Sequence, residues 1–72
     1  MNTNRMKSVM ALNGDKQKDL AKALDLSPQR FSHKLNEREG AEFNQSEIYA
    51  IKNRYNLSAQ EVTEIFFNQD VS

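Results

Sequence analysis

The 72-residue sequence predicts an all-α fold, and three observations carry that reading. Apolar residues recur at intervals of three and four along most of the chain. Three helix starts share one local grammar: an apolar residue, a Ser or Asn able to cap, and a second apolar residue four positions after the cap. No segment alternates with a period of two for long enough to propose a strand.

The first helix is expected from about Asn4 to Leu12, where Met6, Val9 and Met10 share a face and Asn13-Gly14 supplies a glycine stop. The two methionines read as fillers of core gaps, with a methionine partner surface as the alternative. The second helix is placed from 16, with Asp15 the candidate cap. Leu20, Ala21 and Leu24 form its apolar stripe while Lys18, Asp19 and Lys22 face elsewhere. Asp25 falls where the chain must leave that helix, a position that favours a left-handed conformation.

A third helix starts immediately. Ser27 offers the capping oxygen, Pro28 suits the first helical position, and Leu26 with Phe31 forms a hydrophobic staple. Ala21 is small enough to let the two helices approach. Gln17–Leu35 therefore reads as two short helices joined by a tight turn, the build of a helix-turn-helix. Phe31 and Leu35 share the buried face of the third helix. At roughly 100° per residue, Gln29 and His33 point nearly opposite, Arg30 and Ser32 flank them, and Asn36 continues the outer edge. Such a face suits a major groove, where donors and acceptors are read on base edges; plain solvation is the alternative for each residue taken singly.

Glu37–Ala41 reads as a polar surface loop containing Gly40. The stapled start then returns at Phe43, Asn44, Glu47 and Ile48, opening a fourth helix that carries Ile51 and Tyr55 to its end. It returns again at Leu57, Ser58, Glu61 and Val62, opening a fifth helix over about Ala59–Phe67 with Ile65 and Phe66 on its apolar face. Phe67 lies about 100° beyond Phe66. It either wraps under the core or stands exposed as a protein contact.

Residues 1–72 are expected to form a single domain, since a chain of this size buries only about 60% of its unfolded surface and leaves no room for a second core. Without cysteine there is no disulfide, and a single histidine without a Cys/His cluster argues against structural zinc. No cofactor or metal is expected. His33 is the lone histidine and no carboxylate constellation accompanies it, so the chain does not read as an enzyme. No apolar run approaches the roughly 20 residues of a membrane span, and the start MNTNRMK lacks the hydrophobic region of a signal peptide. The expectation is a cytoplasmic, soluble protein without membrane contact.

Formal net charge is zero, but its distribution is not even. Residues 1–38 carry eight Lys/Arg against four Asp/Glu, net +4, and residues 39–72 carry two against six, net −4. The helix-turn-helix lies in the basic half.

Three segments, Gln17–Ala21, Phe31–Asn36 (FSHKLN) and Phe43–Ile48 (FNQSEI), carry a family resemblance. In this order they resemble the phage repressor and Cro superfamily, also called XRE-like, over about residues 5–67. The likeness is greatest to small Cro-like or modulator-of-repression proteins from temperate phages of Gram-positive bacteria. The resemblance implies a compact five-helix lambda-repressor-like domain and a role in a lysis–lysogeny switch. It further implies that Gln17 binds a phosphate at a helix start, with Lys18 beside it, and that Gln29 and His33, with Ser32, read bases. Arg30, Lys34, Asn36 and Arg38 would grip flanking phosphates. Three positions depart from the family pattern: Lys16 replaces a Thr or Ser cap, Asp25 a turn glycine, and Glu37 the glycine of an Asn-Gly pair. Glu37 sets a carboxylate near the expected DNA backbone, which weakens the expected affinity.

The partners implied are double-stranded operator DNA, bound by a two-fold dimer, and the cognate lysogenic repressor. A purely protein-binding antirepressor is the alternative: the acidic C-terminal half would attract a repressor's basic DNA-facing surface. Its candidate contacts are Glu61, Glu64, Phe66 and Phe67, set against the alternative of a solvated helix face plus core. An antitoxin would share the fold, but no long toxin-wrapping tail is evident.

Overall fold

The computed structural model describes residues 1–67. Its helices are α1 (Thr3–Leu12), α2 (Gln17–Ala23), α3 (Pro28–Leu35), α4 (Gln45–Tyr55) and α5 (Ala59–Val62). A 3-10 turn, Arg38–Gly40, lies in the α3–α4 connection, and a π-helical turn, Thr63–Phe67, continues from α5. No strand occurs among the described residues, so the protein is all-α. None of their helices is long and apolar enough to cross a membrane.

Local chemistry explains where the helices begin. Ser27 Oγ accepts the Arg30 N–H at 3.2 Å. Asn44 and Glu47 form a reciprocal capping box, with the Glu47 N–H donating to Asn44 at 2.8 Å and the Asn44 N–H to Glu47 at 2.9 Å. Ser58 and Glu61 repeat it at 3.1 and 2.9 Å. α1 begins one residue earlier than its apolar pattern suggests, because Asn2 accepts the Arg5 N–H and adds a turn. At α2 the cap position belongs to Lys16, which has no acceptor to offer. Asp19 supplies half of a box instead, its carboxylate accepting the Lys16 N–H at 2.9 Å. Asp15, the expected cap, is bound elsewhere.

Helix ends are built as consistently. Gly14, Asp25 and Asn56 have φ of 73°, 58° and 52°. After each, the next N–H returns to a carbonyl five residues back: Asp15 to Met10, Leu26 to Ala21 and Leu57 to Lys52, each at 2.9 Å. The expectation for Asp25 is met. α3 closes less tightly, with Glu37 at φ 52° and the Asn36 amide donating to the Ser32 carbonyl at 2.9 Å. The segment read as a plain loop contains the 3-10 turn, with Glu39 at φ 54° inside it.

These ends aim the apolar faces at one core. Met6 and Met10 of α1, Leu20 and Ala21 of α2, Phe31 and Leu35 of α3, Ile51 and Tyr55 of α4, Ile65 of the π turn, and the linker residues Phe43 and Leu57 are buried together. The methionines are thus core residues. Phe31, Phe43 and Phe66 form an aromatic series with centroids 5.7 and 6.3 Å apart, the second pair edge to face. Two bonds tie α1 across the fold. The Asn2 N–H donates to the Ile65 carbonyl at 2.7 Å, and Thr3 Oγ1 donates to the Leu35 carbonyl at 2.9 Å, satisfying an acceptor at the end of α3.

Asp15 joins the α1–α2 turn to the end of α4. Arg54 donates to both its oxygens, at 2.7 and 3.0 Å, and the Tyr55 hydroxyl donates at 2.6 Å. The Arg54 and Tyr55 hydrogen bonds hold the Asp15 carboxyl below its usual value near 3.8. The folded state therefore favours the ionised form, and Asp15 contributes stability that is full above the unfolded value and lost as pH falls through the folded one. Burial, then the bond to Asp15, pushes Tyr55 up. That contribution is full below the ordinary tyrosine value and is lost at more alkaline pH.

Urea unfolding from about pH 5 to about pH 2 should show stability falling with pH. Asp15→Asn should flatten part of that fall and should be less stable than wild type at neutral pH. The left-handed Glu39 gives a second expectation: Glu39→Gly should stabilise the fold by about 1 kcal/mol, read as a higher urea midpoint.

Candidate nucleic-acid interface

α2 and α3 pack against each other across the turn formed by residues 24–27. Phe31 and Leu35 are fully buried, which fixes the rotation of α3 about its axis. Gln29 and Arg30, in its first turn, are exposed, while Ser32 and His33 are half-buried. Gln17 and Lys18 are exposed in the first turn of α2, and Arg38 is exposed in the 3-10 turn that follows α3. Gln29, Arg30 and Arg38 thus have the accessibility that their expected roles need.

Lys34 does not. Its ammonium group donates to both oxygens of Glu47, at 2.8 and 2.9 Å, and the two side chains are only 14% and 11% exposed. The helical position that seemed to offer a phosphate contact is instead turned toward the start of α4, where Glu47 also completes the capping box. Asn36 and Ser32 are engaged as well. The Asn36 amide donates to the Ser32 carbonyl and, at 3.3 Å, to Ser32 Oγ, closing the end of α3. The outer face free for a ligand is therefore narrower than helical spacing suggests and is concentrated at the N-terminal end of α3.

The C-terminal candidates separate into two groups. Glu61 accepts the Ser58 N–H, and the Ser58 backbone and hydroxyl bonds lower its pKa. Glu64 lies 3.6 Å from Arg5 of α1. Both carboxylates thus serve the helix start or its docking. Phe66 is half-buried against Phe43. Phe67 does not wrap under the core: it is 61% exposed. The two aromatics line a groove of about 280 Å³ with Phe43, Ile48, Glu37 and Glu42. Sequence spacing did not associate Glu37 and Glu42 with these aromatics, because the link is made across separate elements and has no local signature.

Among the described residues, no cluster of three or more His, Cys, Asp or Glu could hold a metal ion. In comparisons with known proteins, no family model, no curated protein and no solved structure matches the chain.

The position of Lys34 separates a structural role from a binding role. Lys34→Ala should lower unfolding free energy by about 2 kcal/mol, because it strands the largely buried Glu47 carboxylate. Arg30→Ala should change it by less than about 0.5 kcal/mol. Chemical denaturation of the two variants checks both.

Proposed function

We propose that this protein is a DNA-associated transcriptional regulator of a phage lysis–lysogeny switch, acting in the bacterial cytoplasm on operator DNA and on the cognate repressor. The observation that carries the DNA part is the presentation of Gln29 and Arg30 at the exposed start of a helix whose opposite face is locked by Phe31 and Leu35. A glutamine so placed can pair bidentately with adenine, and His33 extends the same face. Arg30, Lys18 and Arg38, with Gln17, would contact phosphates and set register without specifying sequence. The ion pair at Lys34 removes one cation from that set, so autonomous affinity for DNA should be modest and steeply dependent on salt. A two-fold dimer reading half-sites about one helical turn apart is the arrangement this geometry suits.

A second reading, a protein-binding antirepressor that does not itself read DNA, is favoured by one observation. Phe67 is exposed beside Phe66 in the acidic half of the chain. A complex with the repressor and occupancy of DNA are compatible with each other.

Gln29→Ala with His33→Ala should weaken operator binding by at least about tenfold and shift the lysis–lysogeny outcome, with the fold retained by circular dichroism. Unchanged DNA binding together with unchanged switching would sink the DNA-reading proposal.

A further inference from the structure

We infer that the groove between α3, the start of α4 and the π turn is a docking site for a basic amphipathic segment of a partner protein. An apolar side chain enters between Phe43, Ile48, Phe66 and Phe67, and a Lys or Arg meets Glu42. The inference rests on the protein-binding reading above and adds the surface and the chemistry of the segment it accepts.

Charge selects the occupant. Two cations reach this groove, and both are matched: Lys34 by Glu47 and the Met1 amino group by Glu37, 3.3 Å away. Glu42 is exposed and has no ion pair among the described residues, so the excess charge at the rim is negative. That disfavours nucleic acid, whose phosphates would meet a carboxylate. A second copy is disfavoured too. A two-fold contact places a patch against itself, and would bring Glu42 toward its own counterpart. The groove, of about 280 Å³, suits side chains presented by a helix.

The floor supplies the attraction. Phe66 is fixed edge to face on Phe43, which is itself packed on Phe31, so one wall is rigid. Phe67 is the exposed wall. Of the large apolar residues exposed among the described residues, Leu12, Tyr49 and Phe67, it is Phe67 that lines this groove. Aromatic residues in such a setting are the usual anchors of an interface, with a flanking charge giving selectivity.

Two fluorescein-labelled synthetic helical peptides provide the test, sharing one leucine face and differing only in carrying Lys/Arg or Glu on the flanks. Fluorescence anisotropy should show the 72-residue chain capturing the basic peptide and not the acidic one. Phe67→Ala should weaken capture by about tenfold and Glu42→Lys by about fivefold. Leu12→Ala, at an exposed apolar residue outside the groove, should leave it unchanged. With the wild-type protein, the basic peptide should shift the amide resonances of Glu42, Phe43, Ile48 and Phe66, a readout that does not depend on any variant folding. Equal capture of both peptides, shifts confined to other elements, wild-type affinity in both groove variants, or self-association abolished by Phe67→Ala would each overturn the inference. Loss of repressor association with peptide capture intact would sink the antirepressor reading alone. Repressor association that survives while capture fails would sink only the groove.

Discussion

The burial of Phe31 and Leu35 is the constraint on which the rest of this structure depends. With no disulfide, the domain closes only if each short helix delivers its apolar face to one core, and α3 has just eight residues with which to do so. Both side chains are fully buried, Phe31 against Phe43 and Leu35 in the same cluster. Burying a side chain of this size contributes about 1.5–3 kcal/mol. The same burial fixes which residues of α3 meet solvent. Presentation of Gln29 and Arg30 is thus a consequence of core packing, and a change that rotates α3 would alter the candidate interface before it touched any exposed residue.

Electrostatics in this chain serve folding. The sequence divides into a basic and an acidic half, which suggests two charged surfaces. The folded chain brings parts of those halves together: Arg5 with Glu64, Lys34 with Glu47, and Asp15 with Arg54 each join one half to the other. Exposed pairs of this kind contribute little individually, whereas the shielded Lys34–Glu47 pair is costly to break. The surface potential of the basic half is weaker than the linear charge count implies. Glu42, left outside these pairs, acquires a role at the groove that its place in the sequence does not announce.

Much of the fold was legible because the grammar of helix ends is local. Ser27, Asn44 and Ser58 cap within three residues, and Asp25 adopts the left-handed conformation that its position demands. Where reading failed, a competing long-range partner was the cause. Asp15 is a good cap by type, yet Arg54 and Tyr55, about forty positions away in sequence, bind it more effectively than a helix N-terminus would. Lys34 lies at an angle compatible with an outward path, but Glu47 draws it inward. Phe67 was undecidable by periodicity, since a π turn changes the angle per residue and carries it off the face that Val62, Ile65 and Phe66 define.

By itself, the sequence determined the all-helical class, the order of the five helices, most of their limits and the composition of the core. These follow from hydrogen bonds and apolar spacing within a few residues. Tertiary structure alone decided which polar groups remain available. It took Lys34 out of the outer face, exposed Phe67, and set Glu42 beside two aromatics from another element. The physical reason is reach: a cap is settled by its neighbours in the chain, but the partner of a charge or the cover of a ring is settled only when distant elements meet.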